Sequence, residues 1–126
     1  MKYQILTLAS LLLIGCGGSS TSSSSDIKTY NAFVTPNSNL AYRCGSASGD
    51  IVINGSSVSG TIRLNNSNVI YVVSGTYIKD TGGVEGGFAV SGRSVAEFSG
   101  TVNGSTGGGT YSDDYNCRGT WTVREK

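Results

Sequence analysis

The sequence predicts an all-β domain, a small antiparallel up-and-down meander of about eight strands closed into a barrel. Three observations predict it. From Lys28 onward apolar residues recur with a period of two, never with the 3.6 period of a helix. Turn-forming residues break that alternation roughly every 8–12 positions, the spacing of short strands joined by hairpins. The composition agrees: 19 glycines, one proline and 13% charged residues, about half the usual quarter, leave little to coat a helix and much to make turns. At 126 residues the chain has room for one domain.

The chain opens on an address. Lys2 supplies one positive charge, and residues 5–14 form a mostly apolar run interrupted by Thr7 and Ser10. Such a run is too short to span a bilayer, which takes roughly 20 residues, but it has the length of a secretory h-region. It ends Leu13-Ile14-Gly15-Cys16. Two branched apolar residues, a small residue and a cysteine at this distance from Met1 resemble the lipobox of bacterial lipoproteins. In that family a diacylglyceryl group is attached to the cysteine thiol, the signal peptide is cut before it, and the new amine is acylated. The resemblance implies a signal peptide over 1–15 and a lipid, with palmitate among its acyl chains, on Cys16. Several acyl chains exceed the two signals that stable anchoring takes. The resemblance places the chain in the bacterial cell envelope. Gly17 stands where, in enteric bacteria, an aspartate tends to retain a lipoprotein in the inner membrane, which favours the outer membrane in a host that has one.

Residues 16–27 read as the lipidated cysteine and a Gly/Ser-rich tether. Residues 17–25 are all Gly, Ser or Thr. Nothing there can be buried, so nothing offsets the entropy of ordering it. The typical reach of nine such residues is roughly 15–18 Å, so the domain at 28–126 stays close to the membrane. Removing residues 1–15 removes Lys2 and leaves eight basic and eight acidic side chains, with no polybasic patch to assist anchoring and no footing for nucleic acid.

Strands are expected near 28–34, 40–44, 50–54, 57–64, 69–78, 84–91, 94–102, 108–112 and 117–124, with one of the early or short ones failing. In 57–64, Val58, Gly60, Ile62 and Leu64 alternate with Ser59, Thr61 and Arg63. In 84–91, Val84, Gly86, Phe88 and Val90 alternate with polar or small residues; in 94–102, Ala96, Phe98, Gly100 and Val102 alternate with Val95, Glu97, Ser99 and Thr101; in 117–124, Cys117, Gly119, Trp121 and Val123 alternate with Arg118, Thr120, Thr122 and Arg124. One apolar face and one wet face suit an antiparallel sheet covered on a single side. Residues 69–78 are apolar on both faces for part of their length and are the candidate for the most buried strand. The turns are legible at Asn54-Gly55, 65–68, 80–83, Asn103-Gly104 and 113–116, where residues tolerate positive φ or bond their own backbone.

Gly-Thr followed by a large apolar residue occurs at Gly60, Gly75, Gly100, Gly109 and Gly119, each time in phase with the alternation. Glycine inside a strand weakens it unless it permits a bend or a close approach; repeated round a sheet, it lets coiled strands close and leaves room for a neighbour's ring. With Cys16 carrying lipid, Cys44 and Cys117 remain, in a compartment where disulfides persist. One lies in an early strand and one in the last, which are neighbours only in a closed barrel. The expected Cys44–Cys117 bond clasps the barrel where its ends meet.

Candidate chemistry is sparse. The sequence has no histidine, which removes Ser-His and Cys-His catalysis, imidazole metal sites and the commonest general base. Asp113 and Asp114, beside Asn116, read as a solvated turn rather than a cation site, lacking the spacing of a calcium loop. Glu85 and Glu97 fall on the predicted wet face, where Arg63 and Arg93 can pair with them. Arg43, Arg118 and Arg124 flank the cysteines and can form a small basic strip. No nucleophile elbow, phosphate loop or zinc spacing is present, so no enzyme activity, cofactor or metal is expected. With Trp121, Phe88, Phe98, Tyr77 and Tyr111 pointing inward, the interior should be filled.

The stretch Gly92-Arg93-Ser94-Val95-Ala96-Glu97-Phe98-Ser99-Gly100-Thr101-Val102 is similar to the signature of transferrin-binding-protein-like surface lipoproteins, roughly Gly-Pro-x-Ala-x-Glu-x-Gly-Gly-x-Phe. Gly92, Glu97 and Gly100 match; the proline and the closing aromatic are absent and the alanine is displaced by one. The resemblance implies an eight-stranded, lipid-tethered, outward-facing barrel whose ligand sites, being in loops, carry over to no residue here. The expected function is that of a lipid-anchored, non-enzymatic binding module of the bacterial envelope, with the membrane as one partner and a protein or small molecule as the other. The alternative is a structural or defensive inhibitor acting through a hairpin loop, at 79–83 or 103–108.

Overall fold

The computed structural model describes residues 27–40 and 43–126; the expected signal peptide, Cys16 and the expected tether up to Asp26 lie outside the described residues. Among the described residues eight strands follow one another: β1 (Ile27–Pro36), β2 (Ala47–Asn54), β3 (Ser57–Leu64), β4 (Ile70–Ile78), β5 (Gly83–Val90), β6 (Arg93–Asn103), β7 (Thr106–Asp113) and β8 (Arg118–Glu125). Each pairs antiparallel with its sequence neighbour, and β8 returns to β1, with Gly119 opposite Pro36 and Glu125 opposite Tyr30. The all-β meander is thus a closed barrel, and closure removes the unpaired edges an open sheet would expose. Among the described residues the strands, the core and the disulfide make one closed unit with its own interior.

The expected strand at 40–44 does not form. Ser38–Leu40 is a single 3-10 turn, and the N–H groups of Arg43 and Cys44 both donate to the Leu40 carbonyl, at 3.1 and 2.9 Å. Satisfied locally in this way, the backbone has no need of a neighbouring strand. Residues 41 and 42 lie outside the described residues. Cys44 consequently sits in the β1–β2 connection rather than in a strand.

The 69–78 stretch is the second correction. Val73 is the buried residue of β4; Ile70, Val72 and Ile78 stand on the outer wall, 46, 53 and 56% exposed. A single-layered barrel covers only its inner face, and no second layer among the described residues packs against the outer apolar side chains. Two-sided apolarity therefore does not make β4 the most buried strand.

A third departure is a β-bulge between β5 and β6. Phe88 lies opposite Ala96, but Ala89 lies opposite Ser94, so Val95 is the extra residue. Val95 and Ala96 are both buried, at 7% exposure each, where strict alternation puts Val95 on the wet face. The bulge inverts the parity of β6 upstream of it. Arg93, opposite Val90 across the tight Ser91-Gly92 turn, thereby leaves the face that carries Glu97.

Inside, Phe88 stacks on Phe98 with centroids 5.3 Å apart, tilts against Tyr111 at 6.3 Å, and Phe98 meets Trp121 edge-on at 5.8 Å. These offset and edge arrangements are the favoured ones for aromatic pairs. The rings fit because of glycine. A Cβ on Gly86 would lie 2.9 Å from Phe98 Cζ, and one on Gly100 2.7 Å from Trp121 Cζ2. All five Gly-Thr steps follow one pattern: glycine and the large residue face inward, threonine outward. What remains of the interior is an apolar cavity of 40 Å³ among side chains such as Val58, Val73 and Trp121, too small for an organic ligand. The barrel is filled.

Candidate functional site

The meander sorts the connections to two ends. The chain enters β1 at Ile27, opposite Asn54, and leaves β8 beside it, where the Lys126 N–H bonds the Thr29 carbonyl. The β2–β3, β4–β5 and β6–β7 turns share that end. At the other end lie the β1–β2 connection, the β3–β4 and β5–β6 turns and the β7–β8 turn.

The second end is braced. Cys44 and Cys117 are joined by a disulfide, with Cα atoms 5.8 Å apart, tying the β1–β2 connection to the start of β8 at the barrel seam. Next to it, Arg43 reaches across with both arms of its guanidinium: Nη1 donates to the Tyr115 carbonyl at 3.0 Å and Nη2 to the Asn116 carbonyl at 3.1 Å. The β7–β8 turn is itself organised by Asp113, whose Oδ1 accepts from the N–H groups of Tyr115 and Cys117, both at 2.8 Å. This is an aspartate-led turn of the kind its sequence anticipates. Asp113 is spent on the backbone, and no group of three potential metal-ligating side chains occurs among the described residues.

Inside this frame is a mouth of about 430 Å³. Phe88, Ala96 and Ile62 form its floor; Leu64, Val69 and Val90 line its wall; Tyr71, Tyr111 and Tyr115 add aromatic edges, and Arg93 stands at its rim. Burial raises the Tyr71 and Tyr111 hydroxyls above the ordinary phenol pKa, and the nearby Asp113 charge raises both further. Both therefore stay protonated, as hydrogen-bond donors, at neutral pH.

A larger concavity, about 1010 Å³, lies on the outer wall across β4 to β8. Hydroxyls from Thr76, Ser99, Thr110 and Thr120 line it in one cross-strand row with Glu85. It is wide open, and the aromatic residues along it, Phe88, Phe98 and Tyr111, belong to the buried core. The mouth, enclosed by apolar and aromatic groups with a few polar ones at its edge, has the character of a ligand site.

The remaining expected residues are not brought together. Among the described residues the one ion pair is Lys126 with Asp50, at 3.0 Å. Glu85 and Glu97 remain on the outer wall without Arg63 or Arg93 as partners. Arg43 is engaged at the mouth, whereas Arg118 and Arg124 stand six residues apart on β8, about 20 Å in an extended strand, so no basic strip forms. The loops at 79–83 and 103–108 are tight turns at the end where the chain enters the barrel, tied together where the Val102 N–H bonds the Gly82 carbonyl at 2.8 Å. Reading the sequence strand by strand missed the mouth, because its residues are scattered from Val34 to Cys117 and include a bulge that breaks the alternation. The signals that were available are the tyrosines at 71, 111 and 115, two of them on inward parity near strand ends.

Neither a protein-family model, nor a curated protein, nor a solved structure matches this chain.

Proposed function

We propose that this chain is a lipid-tethered, non-enzymatic binding module of the bacterial cell envelope that recognises its partner with the disulfide-braced mouth. The observation that carries the reading is polarity along the barrel axis. The chain enters the barrel at the end opposite the mouth, so a tether running from Cys16 would leave the mouth facing away from the membrane. The clamp of Cys44–Cys117 and Arg43 supports it, because a preorganised rim lowers the ordering cost of binding. A non-enzymatic role is supported by the lack of any histidine and by the commitment of Arg43 and Asp113 to backbone groups. The inhibitor reading has less support, since its two candidate loops are tight turns on the tether end.

The test is capture from envelope extract with residues 26–126. A partner retained by the wild type and by Arg63→Gln, on the outer wall, but lost with Tyr115→Ala, is the expected result. Capture indifferent to Tyr115 and abolished by Arg63→Gln would place recognition on the wall instead.

A further inference from the structure

We propose that the mouth binds a monomeric amphiphile with an anionic head, in its simplest form a fatty carboxylate, with the chain on the apolar floor and the head at Arg93. The proposal rests on the mouth being the binding surface and adds the class of ligand.

The first observation is the bulge at Val95. Strict alternation puts Arg93 on the same face as Glu97; the extra residue turns it to the inner parity of Val90, and it lines the mouth. Bulges recur where a side chain has to be re-aimed at a site. The bulge also places Val95 in the wall beneath it.

The second observation is the balance of charge. Three charged side chains line the mouth. Arg43 is held by two backbone carbonyls and Asp113 accepts two backbone N–H groups. Arg93 has no ion-pair partner among the described residues. Two guanidiniums against one carboxylate leave the mouth net positive, with the uncommitted charge at its rim. A guanidinium presents a planar fork that matches a carboxylate.

The third observation is a hydroxyl without a partner. The Tyr30 hydroxyl, at the tether end, donates to the Gly104 carbonyl at 2.8 Å. Tyr111 is 8% exposed and lines the mouth, yet its hydroxyl has no hydrogen-bond partner among the described residues. A phenol O–H facing the mouth can donate to a ligand carboxylate, which supplies an acceptor. The volume of about 430 Å³ lies within the range of small-molecule sites. Because the chain enters at the other end, the ligand is met as a monomer in solution and not as a lipid in the anchoring bilayer.

The test is calorimetric titration of residues 26–126 with dodecanoate below its micellar concentration, with amide chemical shifts read in parallel. One molecule should bind, shifting Tyr71 and residues 90–95. Arg93→Gln should weaken it roughly tenfold, the size of one charge-assisted hydrogen bond, and Tyr111→Phe should weaken it by a smaller factor; Arg63→Gln should change nothing. Dodecanol and dodecyltrimethylammonium should each bind at least roughly tenfold more weakly, since neither pairs with a guanidinium. Arg93 is exposed beside a hairpin turn, and an unchanged urea midpoint confirms that its variant folds. Equal binding of dodecyltrimethylammonium, indifference to Arg93→Gln, or binding to phosphatidylglycerol vesicles in place of the monomer overturns the proposal. If dodecanoate fails while envelope capture still depends on Tyr115, the ligand class falls and the binding-module reading stands; if capture is indifferent to Tyr115, that reading falls as well.

Discussion

Trp121 shows how single residues hold this barrel together. Its ring lies against the bare backbone of Gly100, and its Nε1 donates to the carbonyls of Ser99 and Thr110, each at 3.2 Å. Indole and glycine are two halves of one contact, so each should fail separately. Trp121→Ala should cost about 3–5 kcal/mol, the range for removing a buried large aromatic, and urea melts should find the variant largely unfolded. Gly100→Ala adds a methyl group within 2.7 Å of both Gly109 Cα and Trp121 Cζ2; overpacking of this kind costs about 1–3 kcal/mol, read as a lower urea midpoint. The buried tyrosines give a pH signature. Tyr30, Tyr71 and Tyr111 are all raised, chiefly by burial and then by nearby carboxylates. Their pKa is higher folded than unfolded, so the native state holds its protons longer. Their contribution is fully present below the ordinary phenol value of about 10 and is lost as pH rises through the folded values. Urea midpoints should therefore fall above about pH 10, and less steeply in Tyr71→Phe.

At the scale of the element, β4 and β6 show what alternation encodes and what it leaves out. Period-two patterning identifies which residues lie on opposite faces, and in β3, β7 and β8 it also identifies the inner face. On β4 both faces are apolar, and only the single-layered architecture decides which is buried. Val72→Thr on the outer wall should change stability by no more than roughly 0.5 kcal/mol. Val73→Thr, which buries a hydroxyl in the apolar core, should cost about 1–3 kcal/mol; the difference between the two urea midpoints checks the assignment. On β6 the bulge at Val95 was not legible, because one inserted residue leaves no compositional mark and Val95 reads equally well on either face. Everything upstream of it, Arg93 included, therefore reads on the wrong wall. The 40–44 stretch failed for a different reason: the N–H groups of Leu40, Arg43 and Cys44 find local carbonyls, at Asn37 and Leu40, and recruit no partner strand.

For the whole molecule, closure was legible from the cysteines because the topology leaves one economical way for Cys44 and Cys117 to meet. The mouth was not, because it is assembled from seven strands and three connections, and no single segment carries it. The disulfide closes a loop of 73 residues, worth about 4 kcal/mol on the chain-entropy model. The Cys44→Ser/Cys117→Ser double variant should lose that much, with Arg43 still bridging the same two segments. Amide exchange should then rise first in the β1–β2 connection and the β7–β8 turn, the parts the bond braces. We propose that the three cysteines divide two tasks, one holding the chain to a membrane and two, joined as Cys44–Cys117, bracing the barrel at the end that faces away. Non-reducing peptide mass spectrometry of the exported chain reads both at once. The expected result is a first residue of Cys16 carrying diacylglyceryl and acyl mass, together with a joined Cys44–Cys117 peptide pair. A chain that keeps residues 1–15, or one in which Cys16 shares a disulfide with Cys44 or Cys117, would contradict it.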